Sequence, residues 1–181
     1  MSEMRIIFLL LISLHLGACV HSGSSSRHVK AQASSSAVLT IDGSQWRSPL
    51  RGSISSHYGP RSGAGLFPGS RYHHGVDIKA KAGTKIRAAS SGRVIFAGWR
   101  RGFGRLVIVD HGPLHTYYAH CQSIHVRPGD WVDRGQWLAR VGSSGRSTGP
   151  HLHFEIRAKA SGRSFNPITI LKLEERSLSQ R

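Results

Sequence analysis

Carboxylates are scarce in this sequence. Asp and Glu total 9 against 25 Lys and Arg, a formal net charge of +16. Such an excess predicts an anionic partner or surface: nucleic acid, acidic lipid or cell-wall polymer. The same scarcity makes any acid beside a histidine conspicuous. Cysteine is equally sparse, with only Cys19 and Cys121, which excludes a disulfide framework. The apolar run at 6–16 is interrupted by Ser13 and His15. It is too short to cross a hydrocarbon core of about 30 Å as a helix. No helical period persists over three turns between Trp46 and Ala158, which argues against a helical domain. No internal repeat of solenoid or propeller length is present. What remains is 181 residues with 39% hydrophobic and 19% charged side chains, the composition of one soluble globular domain with appendages.

The run at 6–16 has the length of a signal-peptide apolar core. Arg5 supplies a positive flank that Glu3 cancels, so a start at Met4 would make the cleaner leader. The run ends Leu16-Gly17-Ala18-Cys19, which resembles a bacterial lipobox. That resemblance implies removal of residues 1–18 and lipidation of Cys19, with the acyl chains anchoring the protein to a membrane. An ordinary secretory leader cleaved near Ala18 would export the chain equally. Export removes nucleic acid as the expected partner. Val20 rather than Asp after the cysteine implies, by the enterobacterial sorting rule, an outer-membrane lipoprotein facing the periplasm. Residues 19–45 are rich in Ser, Ala and Gly. They bury too little apolar surface to offset ordering entropy and read as a flexible tether with a reach of roughly 25–30 Å.

From Trp46 short β-rich runs alternate with glycine-bearing turns. They include Gly83-Thr-Lys-Ile-Arg-Ala-Ala, Arg93-Val-Ile-Phe-Ala-Gly, Arg105-Leu-Val-Ile-Val, His115-Thr-Tyr-Tyr-Ala-His, Trp137-Leu-Ala-Arg-Val and His151-Leu-His-Phe-Glu-Ile. Their spacing predicts an all-β domain at 46–170, a mostly antiparallel sheet of hairpins forming a groove. Pro128-Gly129-Asp130 and Asp133-Arg134-Gly135 read as turns. The tail at 171–181 reads as a short helix or coil.

Three histidine-bearing segments carry the chemistry. In Arg71-Tyr-His-His-Gly-Val-Asp77, alternation along an extended chain puts His73 and Asp77, not His74, on one side. Gly75 lets the backbone bend or another group approach. In His151-Leu-His-Phe-Glu155, the residues His151, His153 and Glu155 share one face while Leu152, Phe154 and Ile156 share the other. The apolar face should pack inward and the polar face should line a groove. In His115-Thr-Tyr-Tyr-Ala-His120, the same alternation places Tyr118 and His120 together. Two histidines and one carboxylate match a catalytic zinc site with an open position. Non-haem iron uses the same set, so ligand type leaves both metals open.

These segments resemble, in order and spacing, the lysostaphin-type (LytM-like) zinc metalloendopeptidases of bacterial peptidoglycan. The likeness runs from about Gly52 to Pro167. It includes Ile54-Ser-Ser-His-Tyr-Gly-Pro-Arg61, His73-His-Gly-Val-Asp77, Tyr118-Ala-His120 and Gly145-Arg-Ser-Thr-Gly-Pro-His-Leu-His-Phe-Glu155. The resemblance implies one Zn2+ per chain, held by His73, Asp77 and His153. It implies His120 and His151 as the two catalytic histidines that hold no metal. The implied activity is hydrolysis of peptidoglycan peptide cross-links, at D-alanyl bonds in a Gram-negative host. Some members of the family have lost ligands and act as non-catalytic activators of amidases; all five positions are present here. Glu155 reads as a surface salt bridge or a structural carboxylate ahead of a ligand-orienting one. Cys121 reads as a small core residue, and Tyr72, Tyr117 and Tyr118 as packing residues. His57, His111, His115 and His125 read as ordinary histidines. The basic run Trp99–Arg105 reads as a solvated hairpin tip.

Overall fold

A computed structural model describes residues 43–61 and 71–171. The expected leader, Cys19, nearly all of the tether and the tail beyond Leu171 lie outside the described residues. After a 3-10 turn at Gly43–Gln45 come β1 (Ser53–Ser56), β2 (Gly59–Pro60), β3 (Tyr72–His73) and β4 (Val76–Lys79). They are followed by β5 (Lys85–Arg87), β6 (Gly92–Arg100), β7 (Gly104–Asp110) and β8 (Leu114–Ile124). The chain continues through β9 (Trp131–Val132), β10 (Trp137–Val141), β11 (His151–Ala158) and β12 (Ser164–Phe165) to a short helix α1 (Pro167–Leu171).

Ten of these strands form one sheet, with a backbone order β1-β4-β11-β8-β7-β6-β9; β12 flanks β11, and β10 bridges β5 and β8. Every named pairing is antiparallel. The all-β expectation therefore holds, and each of the six β-rich runs contains a strand. The two predicted turns also form. Asp130 N–H donates to the Arg127 carbonyl at 3.1 Å, and Gln136 N–H to the Asp133 carbonyl at 2.9 Å.

Period-two burial organises the core. On β11, Leu152, Phe154 and Ile156 are completely buried, while His151 and His153 on the opposite face are only partly covered. The three apolar residues join Val76, Ile78, Tyr118 and Val141 in the main hydrophobic cluster. Burying each such side chain stabilises the fold by roughly 1.5–3 kcal/mol. Cys121 is fully buried there, as expected of a small core residue. Burial also pushes its thiol up to about 12.

β8 is the pivot. Its first half pairs with β11 and β7, and its end turns onto β10. Between the Tyr118–Val107 and Cys121–Arg105 pairs, two residues of β8 face one of β7, a bulge. At this point His120 has φ 61°, the sole positive value on a non-glycine among the described residues. That conformation corrects one sequence-based expectation. Tyr118 and His120 do not share a face: Tyr118 lies in the core, 5.3 Å from the Phe154 ring, while His120 turns to the histidine side. Alternation assumes an unbroken pleat, and the bulge breaks it.

Candidate metal centre

The central strands β4, β11 and β8 bring the three histidine segments together. His153 of β11 lies opposite Asp77 of β4 on one side and opposite Ala119, next to His120, on the other. His73 reaches the same spot after the chain bends at His74 and Gly75. Gly75 is required there, because a Cβ would collide with the Phe154 carbonyl oxygen and the Glu155 side chain. The close approach of Gly75 to β11 lets His73 come within 3.0 Å of His153.

The donor atoms converge. His73 Nε2 lies 3.0 Å from His153 Nδ1 and 3.2 Å from Asp77 Oδ1, and His153 Nδ1 lies 2.8 Å from the same oxygen. A tetrahedral ion with bonds of 2.0–2.1 Å needs donors about 3.3 Å apart. The triangle therefore fits a small divalent cation with slight expansion. These three residues form a group that could hold a metal ion. His74 points elsewhere: its Nδ1 pairs with Ser164 Oγ at 3.0 Å and its ring packs on Tyr72.

The far side of each donor ring is held. His73 Nδ1–H donates to the His57 carbonyl at 2.7 Å, leaving Nε2 as the donor atom. His57 itself therefore contributes a backbone oxygen, which no reading of side chains could have identified. His153 Nε2–H donates to Glu155 Oε1 at 2.8 Å, leaving Nδ1 toward Asp77. Glu155 is 2% exposed and also accepts from Arg157 Nε at 2.5 Å. It is a buried carboxylate bonded to both partners, rather than a surface salt bridge.

The electrostatics follow from this packing. Burial works against ionising Asp77, but hydrogen bonds from His153 and His73 overcome it and hold the acid well below the ordinary carboxylate range. Burial likewise opposes charge on His153, yet Asp77 and Glu155 raise its pKa to about 9. An imidazole clasped between two carboxylates marks a place built for positive charge. A divalent ion bound at Nδ1 replaces a proton there.

His120 and His151 complete the groove. Their rings are 4.8 Å apart, and His120 lies 5.8 Å from the His153 ring. His120 Nδ1–H donates to the Ser144 carbonyl at 2.8 Å, and His151 Nδ1–H to the Gly149 carbonyl at 2.8 Å. Both anchors are backbone oxygens in the loop between β10 and β11. In each ring Nε2 remains to accept or deliver a proton. Burial, followed by the charge on His153, lowers His120 to about 4, so it is neutral near pH 7. His151 Nε2 is 3.7 Å from Asp77 Oδ1. Phe103 closes one wall at 5.9 Å from His153. The resulting groove of about 390 Å³ contains all five residues together with Arg61, Arg146 and Arg157. Arg61 sits 3.7 Å from Asp77 Oδ2.

A neutral imidazole beside a three-donor cation group is an arrangement that metal-assisted hydrolysis can use. The family model for peptidase family M23 matches residues 71–167, and the chain belongs to that family. DD-carboxypeptidase/endopeptidase Mpg of Neisseria meningitidis serogroup B is 40% identical over 101 residues, covering 55% of this chain and 23% of that protein. Murein hydrolase activator NlpD of Escherichia coli is 38% identical over 130 residues, covering 71% and 31%. The chain thus matches only about a quarter to a third of these relatives' lengths. Among solved structures, the catalytic domain of the antimicrobial peptidase lysostaphin from Staphylococcus simulans superposes with TM-score 0.61 at 33% identity, covering 66% of this chain and 91% of that one. A zinc-containing peptidase from Vibrio cholerae superposes with TM-score 0.63 at 27% identity, covering 72% and 40%. The expected lysostaphin-type likeness holds at the level of family and fold. Among the described residues, no helix is long and apolar enough to cross a membrane.

Proposed function

We propose that this protein is a zinc-dependent endopeptidase that hydrolyses peptide cross-links of peptidoglycan, at D-alanyl bonds. The observation that carries this reading is the pairing of a complete donor triangle with two flanking histidines whose Nε2 atoms are uncommitted to backbone. His73 Nε2, Asp77 Oδ1 and His153 Nδ1 are the proposed ligands. When bound, zinc supplies Lewis acidity that acidifies water and polarises the scissile carbonyl. His120, neutral and tethered through Nδ1, takes the proton of the attacking water on Nε2. His151 stands on the other side to stabilise the developing oxyanion or to protonate the leaving amine. Glu155 orients the His153 ring.

The lipobox-like Leu16-Gly-Ala-Cys19 supports a membrane anchor at Cys19 on the outer membrane, with the basic body near anionic lipid or wall polymer. A second reading has one observation in its favour. The 38% identity to an E. coli protein named as a murein hydrolase activator supports a regulator that binds wall without cutting it. The five intact positions favour the enzyme.

The test is digestion of isolated sacculi by the zinc-loaded chain, beside His120→Ala. New muropeptide monomers from the wild type alone are expected. An unchanged muropeptide profile with zinc-loaded wild type overturns the enzyme. Acceleration of an added amidase in that same assay would instead establish the activator.

A further inference from the structure

A second cavity of about 630 Å³ adjoins the metal groove. Tyr72, His74 and Arg157 wall both spaces, and Arg163 and Phe165 extend the second one. Among the described residues, no carboxylate lines the second cavity. The two acids of the metal groove are already engaged, Asp77 with His153 and Glu155 with His153 and Arg157.

The cations are engaged differently. Arg157 is held at one edge, where Nε donates to Glu155 Oε2, and its guanidinium lies 5.0 Å over the Tyr117 ring. Its Nη groups have no hydrogen-bond partner among the described residues. The Arg163 guanidinium rests 5.0 Å over the Phe165 ring and also lacks a hydrogen-bond partner among the described residues. A guanidinium fixed through Nε presents its two Nη donors as a preset fork that matches a carboxylate. Little rotamer freedom is then left to lose on binding.

We propose that this cavity is a carboxylate-binding subsite, in which Arg157, assisted by Arg163, reads a free carboxylate of the bound peptide and so selects the substrate. The inference rests on the peptide-binding reading of the adjacent groove. Arg157 is four positions along β11 from His153, roughly 13 Å at strand rise. The carboxylate it reads therefore belongs to a residue a few positions from the cleaved bond. Amidated stem peptides lack that group and become poor ligands.

The experiment uses the full-length, zinc-loaded His120→Ala chain, which leaves bound peptide uncut. Two probes are titrated calorimetrically: a muropeptide dimer with free carboxylates and the same dimer fully amidated. The free form is expected to bind at least about tenfold more tightly. Arg157→Gln and Arg163→Gln should each shrink that ratio, and the double variant should bring it to one with zinc content unchanged. If Arg157→Gln disturbs zinc through Glu155, Arg163→Gln alone carries the decision, because Arg163 contacts neither Glu155 nor a ligand. A ratio near one in the parent, equal weakening of both probes by the variants, or no binding of either probe overturns the subsite. Sacculus digestion reports on hydrolysis separately. Carboxylate-selective binding without digestion would keep the subsite and remove the enzyme.

Discussion

His153 Nε2 lies 2.8 Å from Glu155 Oε1, two residues further along the same strand. The contact follows from the pleat, since i and i+2 share a face. It decides which nitrogen of His153 looks at Asp77. Glu155 in turn is kept in place by Arg157, so one strand face carries donor, orienting acid and cation in sequence order.

Removing that acid should weaken metal binding without unfolding the protein. Glu155→Gln is expected to lower zinc affinity about 10–100-fold, measured against a competing chelator. Unchanged affinity would mean that Glu155 serves Arg157 alone.

The ligand assignment separates two adjacent histidines. Asp77→Ala and His73→Ala should emerge from purification with little zinc, whereas His74→Ala should retain a full equivalent, because His74 is bonded to Ser164. Elemental analysis decides it; the reverse pattern would exchange His73 for His74.

Strain at His120 can be read from stability. His120→Ala and His120→Gly should both keep zinc and lose roughly 10²–10⁴-fold in activity. Inside a strand, glycine ordinarily costs more than alanine. At φ 61° the order should invert, with the glycine variant more stable by about 1 kcal/mol in urea melts. Alanine proving the more stable would remove the strain.

Acid should loosen the sheet near His111. Burial lowers its pKa, its ring nitrogens pair with the Ser91 carbonyl and Thr116 Oγ1 at 2.8 Å, and Trp46 packs edge-on at 5.0 Å. The unfolded chain takes up this proton near pH 6.5 and the folded one resists it. The His111 contribution to stability is thus complete above that pH and is lost as pH falls toward the folded value. Wild type should therefore lose more melting temperature between pH 7.5 and 5 than His111→Gln. The other titrating groups are common to both proteins. Equal losses would show that His111 does not contribute.

Much of the sheet was legible because half-buried strands write their burial into the chain with period two. His151-Leu-His-Phe-Glu-Ile is the clearest case, and its two faces appear as read. The choice of His73 over His74 came from the same rule, although the chain bends between β3 and β4. Short strands such as β1, β9 and β12 had too few residues to show a period. The Tyr118–His120 reading failed because a single left-handed residue inverted the alternation.

The sequence by itself offered two imidazoles and a carboxylate suited to an ion, in a strongly basic body, and its family resemblance implied two further imidazoles for protons. Tertiary structure alone decided which nitrogen of His73, His120 and His151 is available. The carbonyls of His57, Ser144 and Gly149 make that choice, and every residue has a carbonyl. A backbone oxygen has no signature in a sequence, and only the path of the folded chain brings it within hydrogen-bonding distance of a ring.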